Sequence, residues 1–304
     1  SSDSDGSVYR WGFRRSNPKP SLVLSGDIQN TSIDITRDGR WLAVGSETGQ
    51  IRLINTQLPN QSPQIIKAHK KSVISVQFVP GRNAVITSGA DNTIKYWDLL
   101  TNEGTQIMED NAGFNDMDAS PKGDKVVCAT NNGRLLVWNV ATKKQEQLYT
   151  HKTSIHSVAF DYEGEKIAFG DRSGNLIIIS AQSGRVIQTL KAHSSRVLDL
   201  EFSPDNRSLA TSGLDGVIKI WNMTDLKDLP VEIREHESWV EAITFSPDGN
   251  NLLSTSNDGN LIFIWPVKAD KLAVEVCTLL ERQLTRQEWN AHIGSDVEYS
   301  TVCE

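Results

Sequence analysis

Cysteine and methionine are scarce in this 304-residue chain, with three of each. None of Cys128, Cys277 and Cys303 belongs to a Cys-x-x-Cys pair, so a zinc knuckle is excluded. So low and odd a count suits a reducing compartment, and a cytoplasmic location is expected. No apolar stretch approaches the ~20 residues of a membrane-spanning helix, and no membrane contact is expected. Positive charge is short as well: 31 Lys and Arg stand against 38 Asp and Glu, a net charge of −7. A nucleic-acid surface needs a basic stripe, so nucleic acid is not expected as a partner. The sequence has no Gly-x-x-x-x-Gly-Lys-Ser/Thr phosphate loop and no Gly-x-Ser-x-Gly nucleophile elbow.

What the chain does have is rhythm. Asp5-Gly6, Thr48-Gly49, Asp91-Asn92, Asn132-Gly133, Ser173-Gly174, Asp215-Gly216 and Asp258-Gly259 follow one another at steps of 43, 43, 41, 41, 42 and 43 residues. A β-rich run follows each, such as Thr93-Ile94-Lys95-Tyr96-Trp97 or Leu176-Ile177-Ile178-Ile179. A second turn signal lies upstream of six of them, as in Ser203-Pro204-Asp205-Asn206. Gly, Asn and Asp accept the positive φ of tight hairpins, so each signal marks a hairpin between apolar strands. A repeat of this length cannot bury its apolar face alone, and stacking the units predicts a β-propeller.

Each unit reads as outer strand, loop, inner strand, hairpin, middle strand, tight turn and third strand. The predicted fold is all-β: a propeller over residues 1–268 with seven blades, the first incomplete. Residues 1–24 hold only the third and outer strands of that partial blade, and six further units run over about 21–268. We expect the chain to be a fragment or a processed form, because an open half-blade would expose a hydrogen-bonding edge. Residues 269–304 change to a helical period. Asp270 is a predicted N-cap for a helix carrying Leu272, Val276, Leu279, Leu280 and Leu284. Thr285-Arg286-Gln287-Glu288 has capping-box spacing for a second short helix with Trp289 and Ile293 on one face, ended by Gly294.

The units resemble WD repeats over nearly the whole chain up to about Lys268. In that family a loop His, a middle-strand Ser/Thr, a turn Asp and a third-strand Trp form a hydrogen-bonded chain inside each blade. Two units carry the full set, His69, Thr87, Asp91, Trp97 and His193, Thr211, Asp215, Trp221. Elsewhere the set is broken. The His151 unit has Ser173 for the Asp and Ile179 for the Trp. The Asn132 unit keeps Trp138 but lacks the His, and the Thr48 unit has Ile54 for the Trp. These blades are expected to rely on apolar packing. In the last unit Trp265 falls one residue late after Asp258, so a bulge or different facing is expected there and His236 is expected to lose that partner.

The tail, from Cys277 through Leu284-Thr-Arg-Gln-Glu-Trp289 to Cys303, looks like the closing segment of WD-repeat domains in bacterial, notably cyanobacterial, multidomain signalling proteins. That resemblance implies a C-terminal sensor or interaction domain, with a STAND-type ATPase, TIR, caspase-like or kinase effector upstream. Its partner would be another protein or the parent's own effector. Cys277 and Cys303 could approach each other if the terminus folds back.

Four of the six histidines, His69, His151, His193 and His236, fall at the repeat position, and His156 and His292 have no ligand-spaced neighbours. No catalytic, cofactor or metal residue is therefore expected. Candidate binding residues are those that break the repeat. Aligning the units puts Gln29, Ser72, Gly113, Ser154, Arg196 and Trp239 at one loop position, with Arg172, Leu214 and Asn257 just before turns. Arg172, Arg196, Leu214, Trp239 and Asn257 then form one arc over three successive blades, rich in the residue types that anchor interfaces. The competing reading is a hydrolase-type propeller enzyme with a central-channel site. It needs convergent acids on the inner strands, where Ile33/Ile35, Val76/Phe78, Met117, Val158/Phe160, Leu200/Phe202 and Ile243/Phe245 read as an apolar packing set.

Overall fold

A computed structural model of the chain describes residues 5–10, 20–26, 28–58, 61–256, 262–268 and 285–287. All of its extended elements lie in antiparallel sheets. A leading pair, β1 (Val8–Arg10) and β2 (Ser21–Leu24), forms a two-stranded sheet. Blade 1 follows with β3 (Asn30–Ile35), β4 (Trp41–Ser46), β5 (Gln50–Asn55) and β6 (Gln64–Lys67). Blade 2 has β7 (Val73–Phe78), β8 (Ala84–Gly89), β9 (Thr93–Asp98) and β10 (Glu103–Glu109). Blade 3 has β11 (Phe114–Ala119), β12 (Lys125–Thr130), β13 (Arg134–Asn139) and β14 (Lys144–Thr150). Blade 4 has β15 (Ile155–Phe160), β16 (Lys166–Asp171), β17 (Asn175–Ser180) and β18 (Val186–Lys191). Blade 5 has β19 (Val197–Phe202), β20 (Ser208–Gly213), β21 (Ile218–Asn222) and β22 (Val231–Ile233). Blade 6 has β23 (Val240–Phe245), β24 (Asn251–Ser256) and β25 (Ile262–Pro266).

The tight turns explain the blades. In the third turn Asn92 has φ 65°, and glycines supply the same conformation at Gly49, Gly133, Gly174 and Gly216. A side chain at Gly174 would also collide with the chain, since its Cβ would sit 2.2 Å from the His193 carbonyl oxygen. Glycine is required there twice over, by conformation and by space.

Inner strands β3, β7, β11, β15, β19 and β23 lie side by side in sequence order, so the sheets stack face to face as propeller blades. The core sits between them. Val127, Ala129, Leu135 and Val137 of blade 3, for example, pack on Val158, Phe160, Ile167 and Phe169 of blade 4. Each inner strand carries a β-bulge at its second residue, where Thr31, Ile74, Asn115, His156, Leu198 and Glu241 stand. A bulge twists the strand and re-aims that side chain.

The described architecture is thus six blades and a two-stranded sheet, where the sequence predicts seven blades with the first incomplete. Val8, Val23 and Leu24 of the leading sheet pack on Leu42, Val44 and Ile54 of blade 1. Further in, blade 1 is uncovered. Ile33 and Ile35 are 36% and 51% exposed, whereas the equivalent Val76 and Phe78 of blade 2 are 3% and 8% exposed. The predicted helix from Asp270 and the Cys277–Cys303 approach fall outside the described residues, as does the Asp258 turn. Of the tail, only the helical backbone of Arg286 and Gln287 is described, just after Thr285.

Candidate functional site

The polar chains come first, because they fix the loops from which any site is built. In blade 2 the Trp97 Nε1–H can only donate, and it does so to Thr87 Oγ1 at 3.1 Å. Thr87 therefore gives its own hydrogen to His69 Nε2, 2.8 Å away. The ring is left protonated on Nδ1 and donates to Asp91 at 2.9 Å. Burial keeps His69 neutral by lowering its pKa. Burial also opposes ionisation of Asp91, but the Lys70 amide, the Thr93 hydroxyl and His69 together hold that carboxyl at about 2. Blade 5 repeats the set. Trp221 donates to Thr211 at 3.1 Å, while His193 lies 3.0 Å from Thr211 and 2.9 Å from Asp215.

Two other blades differ from the sequence reading. Trp265 and His236 both bond Ser254, each at 2.8 Å, so the late Trp keeps the histidine's company. The strand is in ordinary register, with Trp265 opposite Leu252 as Trp97 is opposite Val85. In blade 4 the acid has moved rather than vanished. Asp171 Oδ2 lies 2.9 Å from His151 Nε2, and its Oδ1 accepts the Ser173 and Asn175 amides. This blade is not purely apolar at its turn.

The inner strands need a larger correction. Their apolar residues alternate with acids, and Asp34, Asp116, Asp118, Asp199 and Glu201 do converge beside the channel. All of them serve as straps between blades. Asp34 accepts the Ile35 amide of its own strand at 2.8 Å and the Phe78 amide of the next blade at 2.6 Å. Asp116 grips Met117 and Val158, and Asp199 grips Leu200 and Ile243, in the same way. Asp118 takes the Phe160 amide and Glu201 the Phe245 amide. Blade 2 does this with a neutral group: Gln77 accepts from the Ala119 amide at 2.9 Å and donates to Asp118 at 2.6 Å. Burial pushes Asp34, Asp118 and Asp199 up to about 6. Burial and then the charge of Asp199 push Glu201 to about 8. Among the described residues no group of three or more His, Cys, Asp or Glu is arranged to hold a metal ion.

The loop rim is assembled by one repeated backbone bond. In blades 1 to 5 the residue before the tight turn donates its N–H to the carbonyl of the loop residue aligned with it. Ala90 bonds Ser72, Arg172 bonds Ser154, and Leu214 bonds Arg196, at 2.8, 3.0 and 3.0 Å. The two sets of aligned positions therefore meet in space. Arg172 is exposed, while Arg196 and Leu214 are half-buried. Trp239 is 40% exposed, and its indole N–H donates to Glu241 at 3.2 Å. Asn257 lies outside the described residues. The sequence reading passed over His156, the bulge residue between Arg172 and Arg196, because no partner stands near it in the sequence.

Stacked four-stranded antiparallel blades, a His–Thr–Trp chain inside them and a loop rim around a strapped channel define a β-propeller of the WD type. The model of the WD domain, G-beta repeat, matches residues 18–55, 60–98, 184–222 and 228–264. The chain belongs to the WD-repeat family. It is similar to the Protein LST8 homolog of Drosophila melanogaster, 27% identical over 73% of this chain and 74% of that protein. It is similar also to the Apoptotic protease-activating factor 1 of Rattus norvegicus, 30% identical over 66% of this chain but only 17% of that longer protein. With the Serine-threonine kinase receptor-associated protein of Gallus gallus it shares 21% identity over 64% of this chain and 55% of that protein.

Proposed function

We propose that the chain is a non-catalytic protein-interaction scaffold working through the loop rim of blades 4 to 6. Trp239 carries this reading. It stands where the other blades place Gln29, Ser72, Gly113, Ser154 and Arg196, and 40% of its surface is open. Arg172, Arg196 and Leu214 lie on the two blades before it, and alignment adds Asn257. Trp239→Ala is expected to weaken partner binding by about 2 kcal/mol or more, as loss of an interface anchor does. Pull-down and titration against the upstream part of the parent and candidate activators measure this. Melting temperature should barely change, because the ring is at the surface. Unchanged affinity, or a large fall in melting temperature, would return Trp239 to a structural role.

The finer reading is the C-terminal sensor of a cytoplasmic bacterial signalling protein, with a STAND ATPase, TIR, caspase-like or kinase effector upstream. Its partner is that effector or another protein, not nucleic acid or membrane. Two things support it: the resemblance of the Leu284–Trp289 tail segment, and similarity to a limited stretch of a protein named for activating an apoptotic protease. The names of two of the relatives also speak of association with, or activation of, other proteins. The first sequence of the native gene ahead of Ser1 discriminates among the effectors.

We infer also that the ring has seven blades, the β1–β2 sheet being the seventh and taking an inner and a middle strand beside Ile33 and Ile35. The exposure of those two side chains supports it, since every equivalent pair lies against a neighbouring blade. Electron-microscopy averages of the native protein viewed down the axis should show seven wedges, and six would sink the idea. The competing hydrolase reading has the inner-strand acids in its favour. Their oxygens are engaged by backbone amides, which leaves little for a substrate. Turnover of generic hydrolase substrates by the purified chain would restore it.

A further inference from the structure

One junction on the rim differs from its neighbours in chemistry. Between blades 3 and 4 the bulge residue reaches across. Asn115 Nδ2 donates to Ser154 Oγ at 3.1 Å and to the Ile155 carbonyl at 2.7 Å. Between blades 4 and 5 the same two positions hold His156 and Arg196, and Arg196, which has donors only, cannot accept from its neighbour as Ser154 does. His156 Nε2 and Arg196 Nε are both closed off from solvent, with no hydrogen-bond partner among the described residues. Arg172 joins them, anchored beside His156 by its amide bond to Ser154. It forms no ion pair among the described residues.

Among the described residues no acid here is free to neutralise the group. Asp171 is the carboxylate close enough to act on His156, and both its oxygens are occupied, by Ser173, Asn175, Thr153 and His151. Burial, then the charges of Arg196 and Arg172, hold His156 down at about 4, with Asp171 pulling the other way. Two guanidiniums and a neutral imidazole thus share a partly enclosed spot without a counter-ion among the described residues, on a chain whose net charge is −7. A buried donor without a partner is costly, and an anionic acceptor removes the cost with charge-assisted bonds.

We propose that His156, Arg172 and Arg196 form a binding site for one anionic group, a carboxylate or phosphate borne by a segment of a partner protein. The proposal rests on the reading of this rim as a protein-binding face. Arginine suits the task because its planar fork meets both oxyanions in two parallel bonds. Leu214, on the blade of Arg196, and Trp239, on the blade after it, supply apolar surface for the residues flanking the anion.

The test uses the whole chain with inorganic phosphate and with acetate as separate probes, following the His156 ring protons by NMR. Phosphate is expected to give a saturable shift at millimolar concentration and to raise the His156 pKa above about 4, so that binding tightens as pH falls toward that value. A response to acetate as well identifies acidic side chains as ligands, and a response to phosphate alone identifies phosphorylated ones. Arg172→Gln, at an exposed position, and Arg196→Gln should each weaken binding about tenfold or more. The melting temperature of Arg172→Gln should hold. No saturable shift with either anion, or a shift that survives both substitutions, overturns the proposal. Failure here while Trp239→Ala still weakens the pull-down removes the anion site and leaves the protein-binding face standing.

Discussion

Thr211→Val should destabilise the chain by about 2–4 kcal/mol, because it leaves two buried groups without partners at almost no change in volume. The Trp221 indole N–H loses its acceptor and His193 Nε2 loses its donor, both in a blade where Thr211 is fully buried. Asp215→Ala should cost less, about 1–3 kcal/mol, since the freed His193 Nδ1–H is nearer to water. Blade 4 separates the chain's chemistry from its sequence position. Asp171→Ala should resemble Asp215→Ala, for Asp171 bonds His151 and two turn amides. Ser173→Ala, at the aligned turn position, should fall within about 0.5 kcal/mol. Urea melts of the four variants measure the series. Equal losses at Asp215 and Ser173 would sink the polar-chain account.

Glu201→Gln should stabilise the folded chain in a pH-dependent way, by about 2–4 kcal/mol once the medium is alkaline. The glutamate's pKa rises from 4.5 to about 8 on folding, through burial first and the charge of Asp199 second. Below pH 4.5 both states of the wild type are protonated and nothing is lost. Between 4.5 and about 8 the folded state keeps a proton that the unfolded state has released, so wild-type stability drains as pH rises. The amide cannot ionise, so the gap between variant and wild type should open across that window and stay open above it. Shifts at His69, His193 and the depressed carboxylates are common to both proteins and cancel. Glutamine fits, as blade 2 shows: Gln77 already holds the Ala119 amide in the equivalent place. A gap that is flat with pH would mean that Glu201 is ionised in the fold throughout.

The turns were legible because positive φ narrows the choice of residue to Gly, Asn or Asp, whatever surrounds it. The His–Thr–Asp–Trp chains were legible because all four members lie within one unit at constant spacing. What joins one unit to the next was not. Asp34 reads as the polar face of a strand, and only stacking brings it to the Phe78 amide of another blade. Asp171 was missed because the alignment looked for an acid two residues later. Trp265 was misjudged because spacing counted along the chain does not reveal which residue it faces on the neighbouring strand. Alignment alone assembled the candidate rim arc, but His156 was set aside, since both arginines beside it come from elsewhere in the sequence.

The strapped channel has one gap, and its position matters. Every other junction between the six blades has a carboxylate or amide side chain reaching the next inner strand, but at the step from blade 4 to blade 5 the two positions are Ser157 and Ala159. Ala159 has nothing to offer, and Ser157 Oγ has no partner among the described residues. Apolar contact of Ala159 and Ala168 with Val197, Leu200 and Phe202 holds that seam. His156 and Arg196 stand on its two lips. An anion clasped between them would fasten from outside what the other junctions fasten from within, so that occupancy and the stiffness of the ring become a single equilibrium.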